Sequence, residues 1–171
     1  MKKEKKYIFF GYGSLLNRVS LSKTIPNIEN IRTGTLLGFR RVFNLRAKRM
    51  ISKCGPIAVL DIIEDKQSFV NGVYFELSEK GLEKMKEREI LYDFIEVDII
   101  TKNNSHINAL TVQAKGRART DYKFDCDLQK KYLDICLLGA KSRGRDFYKD
   151  FLRTSFIDKK NIFSLSEKVG F

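Results

Sequence analysis

Between Arg32 and Arg46 the chain reads Arg-Thr-Gly-Thr-Leu-Leu-Gly-Phe-Arg-Arg-Val-Phe-Asn-Leu-Arg, a strand-like run interrupted by Gly34 and Gly38. Glycine inside a strand marks a bulge or a sharp bend, the device that curves a sheet towards closure. The neighbouring segments say what that curved strand belongs to. Tyr7–Phe10, Ile57–Ile63, Phe69–Leu77, Glu96–Lys102 and Ile107–Ala114 are dominated by residues that favour strands. Helical pattern appears after Ser78, a good N-cap, up to about Leu91, and again over Asp127–Ala140 and Arg145–Phe156. Strands and helices therefore do not alternate as β-α-β units do. The expected class is α+β: a small mixed β-barrel or strongly curved sheet flanked by helices.

The connections follow from composition. Asn17–Asn30, with Pro26, reads as a short helical turn and a link, and Lys48–Pro56 as a loop. The polar Glu64–Ser68 reads as the turn of a hairpin between Ile57–Ile63 and Phe69–Leu77, and Asn103-Asn104-Ser105 as a second turn. A chain of 171 residues with 43% hydrophobic content suits one domain over 1–171. No apolar run is long enough for a membrane span. Met-Lys-Lys-Glu-Lys-Lys precedes only a short apolar run without a small-residue cleavage site, so a cytoplasmic protein is expected. Cys54, Cys126 and Cys136 are odd in number and widely scattered, and His106 stands alone. Metal-ligand spacing, a disulfide framework and a Cys-His dyad are therefore not expected. The net charge of +12 raises a nucleic-acid partner. However, Lys2–Lys6, Arg40–Arg49, Lys115–Arg119 and Lys141–Arg145 are separate clusters without a helix-turn-helix, zinc-finger or RNP signature, which favours a solvated basic surface. Oligomeric state is not legible.

Two features carry chemistry. The first is Tyr7–Leu16, where a buried-strand pattern runs into Gly11-Tyr12-Gly13-Ser14. Gly11 and Gly13 lack a Cβ, so the backbone there is free to take φ > 0 and approach a small ligand, with Ser14 adding a hydroxyl. Free N–H groups of such a loop suit a carboxylate, a phosphate or a developing oxyanion, and a plain strand-ending turn has the same sequence. Leu16 stands where a dinucleotide fingerprint needs a third glycine. No Gly-Lys-Ser/Thr follows, and Ser14 is not in a Gly-x-Ser-x-Gly elbow. The second feature is Glu89, which shares a helical face with Leu82, Met85 and Tyr92. A carboxylate on an apolar face must be paired, protonated or used. An arginine partner gives a structural ion pair with a depressed pKa, whereas burial alone raises the pKa towards general acid–base work. Together the features give a backbone cradle and one carboxylate, with no evident nucleophile, metal or cofactor motif. That suits a reaction whose substrate brings its own nucleophile.

At these residues the chain resembles the gamma-glutamylcyclotransferase superfamily. The resemblance is carried by Tyr12-Gly13-Ser14-Leu15 after the first strand and by Gly34-Thr35-Leu36-Leu37-Gly38-Phe39-Arg40-Arg41-Val42-Phe43. It continues in Gly72-Val73-Tyr74-Phe75-Glu76-Leu77, Arg88-Glu89 and Tyr92, and in Tyr132-Leu133 with Gly139-Ala140. Leu15 is similar to the glutathione-acting ChaC branch, but the tryptophan often found just after that loop is absent, as the chain has none. The resemblance implies a small barrel with surrounding helices and cofactor-free release of 5-oxoproline from a small γ-glutamyl compound. It implies Glu89 as general base and acid, with Phe10, Gly11, Tyr12, Gly13, Ser14, Leu15 and Tyr132 at the substrate. Glutathione, other γ-glutamyl amino acids and γ-glutamylamines all remain open. Two other readings stand beside it: a non-catalytic small-ligand-binding or regulatory module on the same fold, and a nucleic-acid-binding basic protein.

Overall fold

The computed structural model describes residues 4–157 and 160–161. Its strands are β1 (Lys6–Gly11), β2 (Arg32–Ser52), β3 (Gly55–Ser78), β4 (Asp93–Thr101) and β5 (His106–Gln113), with β6 (Ser155–Ile157) and β7 (Lys160–Asn161) near the end. The helices are α1 (Arg18–Ser22), α2 (Glu79–Arg88), α3 (Asp127–Lys141) and α4 (Arg145–Arg153). Strands pair in the order β3-β1-β5-β4-β2, and β2 pairs again with β3, so five strands close into a barrel. β1 runs parallel to β5 and the other barrel pairs are antiparallel. The described residues thus form an α+β fold, a closed mixed β-barrel with four helices. β6 adds in parallel to β2, and β7 adds antiparallel to β6, outside the ring.

Closure depends on two very long strands bending, and glycine permits the bend. Leu37 pairs with Phe69 and Phe39 with Glu64, so residues 65–68 are extruded from β3 opposite Gly38. Gly38 takes φ 80°, a left-handed backbone that a side chain resists. The extruded residues form an Asx turn: Asp65 Oδ1 accepts the Gln67 N–H at 3.1 Å, and its Oδ2 accepts the Ser68 hydroxyl at 2.8 Å. The turn signal at Glu64–Ser68 is real, but it does not reverse the chain. Ile57–Ile63 and Phe69–Leu77 belong to one strand, both paired with β2, rather than to a hairpin. The loop expected over Lys48–Pro56 shrinks to a tight turn between Ser52 and Gly55, because the ladder resumes at Ile51 and Pro56 after a bulge. The last helix ends at Arg153 and the chain joins the sheet at Ser155, three residues before the expected end. The mid-chain helix stops at Arg88.

Phe9, Phe10, Phe43, Phe75, Leu45 and Leu60 are fully or almost fully buried. Phe9 and Phe10 are consecutive in β1 and point to opposite faces of the sheet, so both faces of that strand are covered. α3 lies against the turn after β1. A Cβ on Gly139 would fall 2.5 Å from the Asn17 nitrogen and 2.6 Å from the Leu16 carbonyl carbon, so the helix and turn pack backbone to backbone. Among the described residues no helix is long and apolar enough to cross a membrane.

Candidate active site

β1 ends at Gly11, and the chain tightens into a 3-10 turn over Ser14–Leu16 with Gly13 as its N-cap. Gly13 has φ −123° and ψ −122°, and Gly11 is likewise outside the left-handed region, contrary to the expectation of φ > 0. Space is the reason for glycine at position 11, where a Cβ would come 2.8 Å from the Leu15 Cβ. Leu16 N–H bonds to the Gly13 carbonyl at 3.0 Å and Asn17 N–H to the Ser14 carbonyl at 3.2 Å. The leading N–H groups of such a turn have no partner within it.

The turn is braced from the core by Arg41, which is fully buried. Its Nη1 donates to the Tyr12 carbonyl at 2.7 Å, and its Nη2 to the Asn71 Oδ1 at 2.6 Å and the Thr154 hydroxyl at 3.2 Å. The guanidinium also stacks 4.0 Å from the centre of the Phe151 ring. Burial brings its pKa down to about 9. The alternation Phe39-x-Arg41-x-Phe43 places this arginine on the inward face of a strand, a signal that a reading of Arg40–Arg49 as surface charge overlooks.

Glu89 reaches the same place from the other side. It is the C-cap of α2, and its own carbonyl accepts the Tyr92 N–H at 3.0 Å, so one turn carries both side chains inward. Gly11, Tyr12, Gly13, Ser14 and Leu15 line a single cleft with Glu89, Tyr92 and Tyr132; Leu60 and Val112 complete it. Phe10 is not among the lining residues. It is fully buried, would abut any side chain at Gly72, and uses its carbonyl to accept the Thr111 hydroxyl at 2.8 Å. The empty cleft measures about 30 Å³, room for about one water molecule. It adjoins a vestibule of about 210 Å³ that shares Ser14, Glu89, Tyr92 and Tyr132 and adds Lys48, Arg49 and Arg88.

Arg88 ties the parts together. Its Nε donates to Glu89 Oε1 at 3.2 Å, and Nη2 to the hydroxyls of Ser14 at 3.1 Å and Ser20 at 3.0 Å. Nη1 donates to the Ser20 carbonyl at 2.8 Å and the Thr24 hydroxyl at 3.0 Å. All of its N–H donors are thereby engaged. The Glu89 side chain is only 12% exposed. Burial pushes its carboxyl above the ordinary glutamate value, and the Arg88 guanidinium pulls against that without reversing it. The two outcomes weighed from sequence, an ion pair and a raised pKa, therefore coexist.

Three tyrosine hydroxyls wall the cleft. Tyr12 donates to the Val112 carbonyl at 2.7 Å, Tyr92 donates to the Leu60 carbonyl, and Tyr132 accepts the Leu60 N–H at 3.1 Å. Burial pushes all three pKa values well up, so these hydroxyls stay neutral.

A family model for ChaC-like proteins matches residues 7–140. The chain belongs to the ChaC-like family. No curated protein matches this ChaC-like sequence significantly. Among solved structures, a gamma-glutamyl cyclotransferase is 19% identical with a TM-score of 0.73, covering 96% of this chain and 99% of that one. An uncharacterized protein from Homo sapiens is 18% identical with a TM-score of 0.73 and the same coverage. A yeast gamma-glutamyl cyclotransferase specific to glutathione is 11% identical with a TM-score of 0.64, covering 89% and 96%. At these identities the likeness establishes the shared barrel fold.

Proposed function

We propose that this ChaC-like protein is a gamma-glutamylcyclotransferase that releases 5-oxoproline from a small γ-glutamyl compound. The observation that carries the reading is the convergence of Glu89 and the Gly11–Leu15 turn on one cleft. The glutamyl group lies against the N–H groups of the turn. The Glu89 carboxylate takes a proton from the substrate's α-ammonium, and the freed amine attacks the γ-carbonyl carbon to close a five-membered ring. The leaving amine then receives the proton from Glu89 and departs through the vestibule. A carboxyl group raised by burial is matched to both transfers. Intramolecular attack explains how the reaction proceeds without a protein nucleophile. The cleft is far smaller than a glutamyl group, so the substrate must displace lining side chains or extend into the vestibule.

The test is 5-oxoproline release from glutathione, γ-glutamyl-alanine and γ-glutamyl-ε-lysine, with Glu89→Gln as control. Release from one of them that disappears in a folded Glu89→Gln variant supports the reading and names the leaving amine. An active Glu89→Gln enzyme refutes the role of Glu89. The narrowness of the cleft favours a second reading, a ligand-binding module without turnover. Folded wild-type protein that binds these compounds and releases nothing would establish that one.

A further inference from the structure

The turn between β2 and β3 is centred on the hydroxyl of Ser52. Its Oγ accepts the Cys54 N–H at 3.1 Å, donates to the Gly55 carbonyl at 3.3 Å and lies 3.1 Å from Cys126 Sγ. Cys126 is the N-cap of α3, so the hairpin tip rests on the start of that helix. Cys54 is exposed and Cys126 is covered, both are free thiols, and both residues meet the Ser52 hydroxyl, Cys54 through its N–H and Cys126 through its Sγ. Sequence distance hid this pairing, because the long hairpin reaches across to a helix that begins far downstream. The third cysteine is different: Cys136 is fully buried beside Tyr132, and burial pushes its thiol up to about 12.

From this arrangement we propose that Cys54 and Cys126 are a redox pair that closes to a disulfide, stapling the β2–β3 hairpin to the first turn of α3. The oxidant is a low-molecular-weight disulfide, RSSR. The exposed Cys54 thiolate attacks one sulfur of RSSR, forming Cys54–S–S–R and releasing RS⁻. The Cys126 thiolate then attacks Cys54 Sγ and displaces the second RS⁻. The cysteines lose two electrons to RSSR, and their two protons end on two molecules of RSH. In the reduced protein, hydrogen bonds from Cys54 and Ser52 draw Cys126 down to about 7; once Cys54 is held in the mixed disulfide, the Ser52 hydroxyl is the contact that still favours the Cys126 thiolate for the closing step. Closure reaches the site already described. Residues 47–50 bulge from the β2–β3 ladder between Arg46–Ala58 and Ile51–Pro56 and form a wall of the vestibule. The staple fixes the far end of that wall. The proposal does not depend on the identity of the substrate or on turnover.

The experiment equilibrates the full chain at neutral pH in mixtures of bis(2-hydroxyethyl) disulfide and 2-mercaptoethanol, followed by acid quench, intact mass and peptide mapping. Circular dichroism on the same samples reports whether the fold is intact. The expected product of the wild type is lighter by two hydrogens, with the Cys54 peptide joined to the Cys126 peptide and the fold retained. Cys126→Ser should stop at a stable 2-mercaptoethanol adduct on Cys54, and Cys136→Ala should close as the wild type does. The proposal is overturned if folded wild-type protein stays reduced, accumulates the adduct on Cys54 without closing, links Cys136, or forms the bond only after unfolding.

Discussion

Replacing Arg88 by methionine keeps a long apolar stem and removes every hydrogen bond that joins Glu89, Ser14 and α1. The three hydroxyl partners can turn to water, but the Ser20 carbonyl and the Glu89 carboxylate lose charge-assisted bonds in a half-buried place. Each such loss is worth about 1.5–3 kcal/mol, and with a discount for the exposure of the arginine the pair comes to about 2–4 kcal/mol. Against the roughly 5–15 kcal/mol of an ordinary domain, Arg88→Met should fold with a lowered urea midpoint. Its effect on chemistry has a definite sign. Burial raises the Glu89 pKa and the guanidinium lowers it, so removing the guanidinium leaves burial unopposed. A general base must be ionised, and the acid limb of kcat/KM should move to higher pH in Arg88→Met. Arg88→Lys restores a charge with at most three donors. It should leave the limb near its wild-type position while kcat falls, because one ammonium does not hold Ser14 and Glu89 together. An acid limb that stays put or moves to lower pH in folded Arg88→Met would refute the idea that Arg88 tunes Glu89.

Glu89→Gln should also report the buried carboxyl through stability. With a folded pKa above the ordinary 4.5, the native state holds the proton where the unfolded chain has lost it, so wild-type stability falls as pH rises from 4.5 through the raised value. The difference in urea midpoint between Glu89→Gln and wild type should grow over that window and then level off. Gly139→Ala forces a Cβ to within 2.5 Å of the Asn17 nitrogen. It should cost about 1–3 kcal/mol in thermal or urea unfolding and raise KM, because the turn that shapes the cleft must shift. Lys48→Glu combined with Arg49→Glu should raise KM roughly 3–10-fold for a γ-glutamyl compound whose leaving amine carries a carboxylate. It should barely change KM for a neutral γ-glutamylamine, and equal effects on both would show that the vestibule charges do not meet the leaving group.

Much of the fold was legible where local chemistry and tertiary structure agree. Ser78 caps α2 by accepting the Gly81 N–H, as its position before Glu79 suggests. Asn104 takes the left-handed backbone, φ 58°, that its place in the turn between β4 and β5 calls for. Misreadings arose where a local signal was overruled by pairing. The polar residues after Ile63 do make a turn, but β2 continues alongside on both sides of it, so the register of a partner strand decides that the chain goes straight on. The bulge at residues 47–50 reads as loop for the same reason.

By itself the sequence determined the α+β class, the glycine that bends β2, and the two features that compose the cleft, because composition and periodicity are local properties of a chain. The tertiary structure alone decided that these features meet, since Gly11–Leu15 and Glu89 are brought together only by barrel closure and by the end of α2. It also decided the electrostatics. Whether Glu89 is raised or lowered depends on how much water its neighbours exclude and on where the Arg88 fork points, and whether the β2–β3 turn touches the start of α3 depends on how far a hairpin reaches. Burial and contact are properties of the assembled surface, and no stretch of sequence carries them alone.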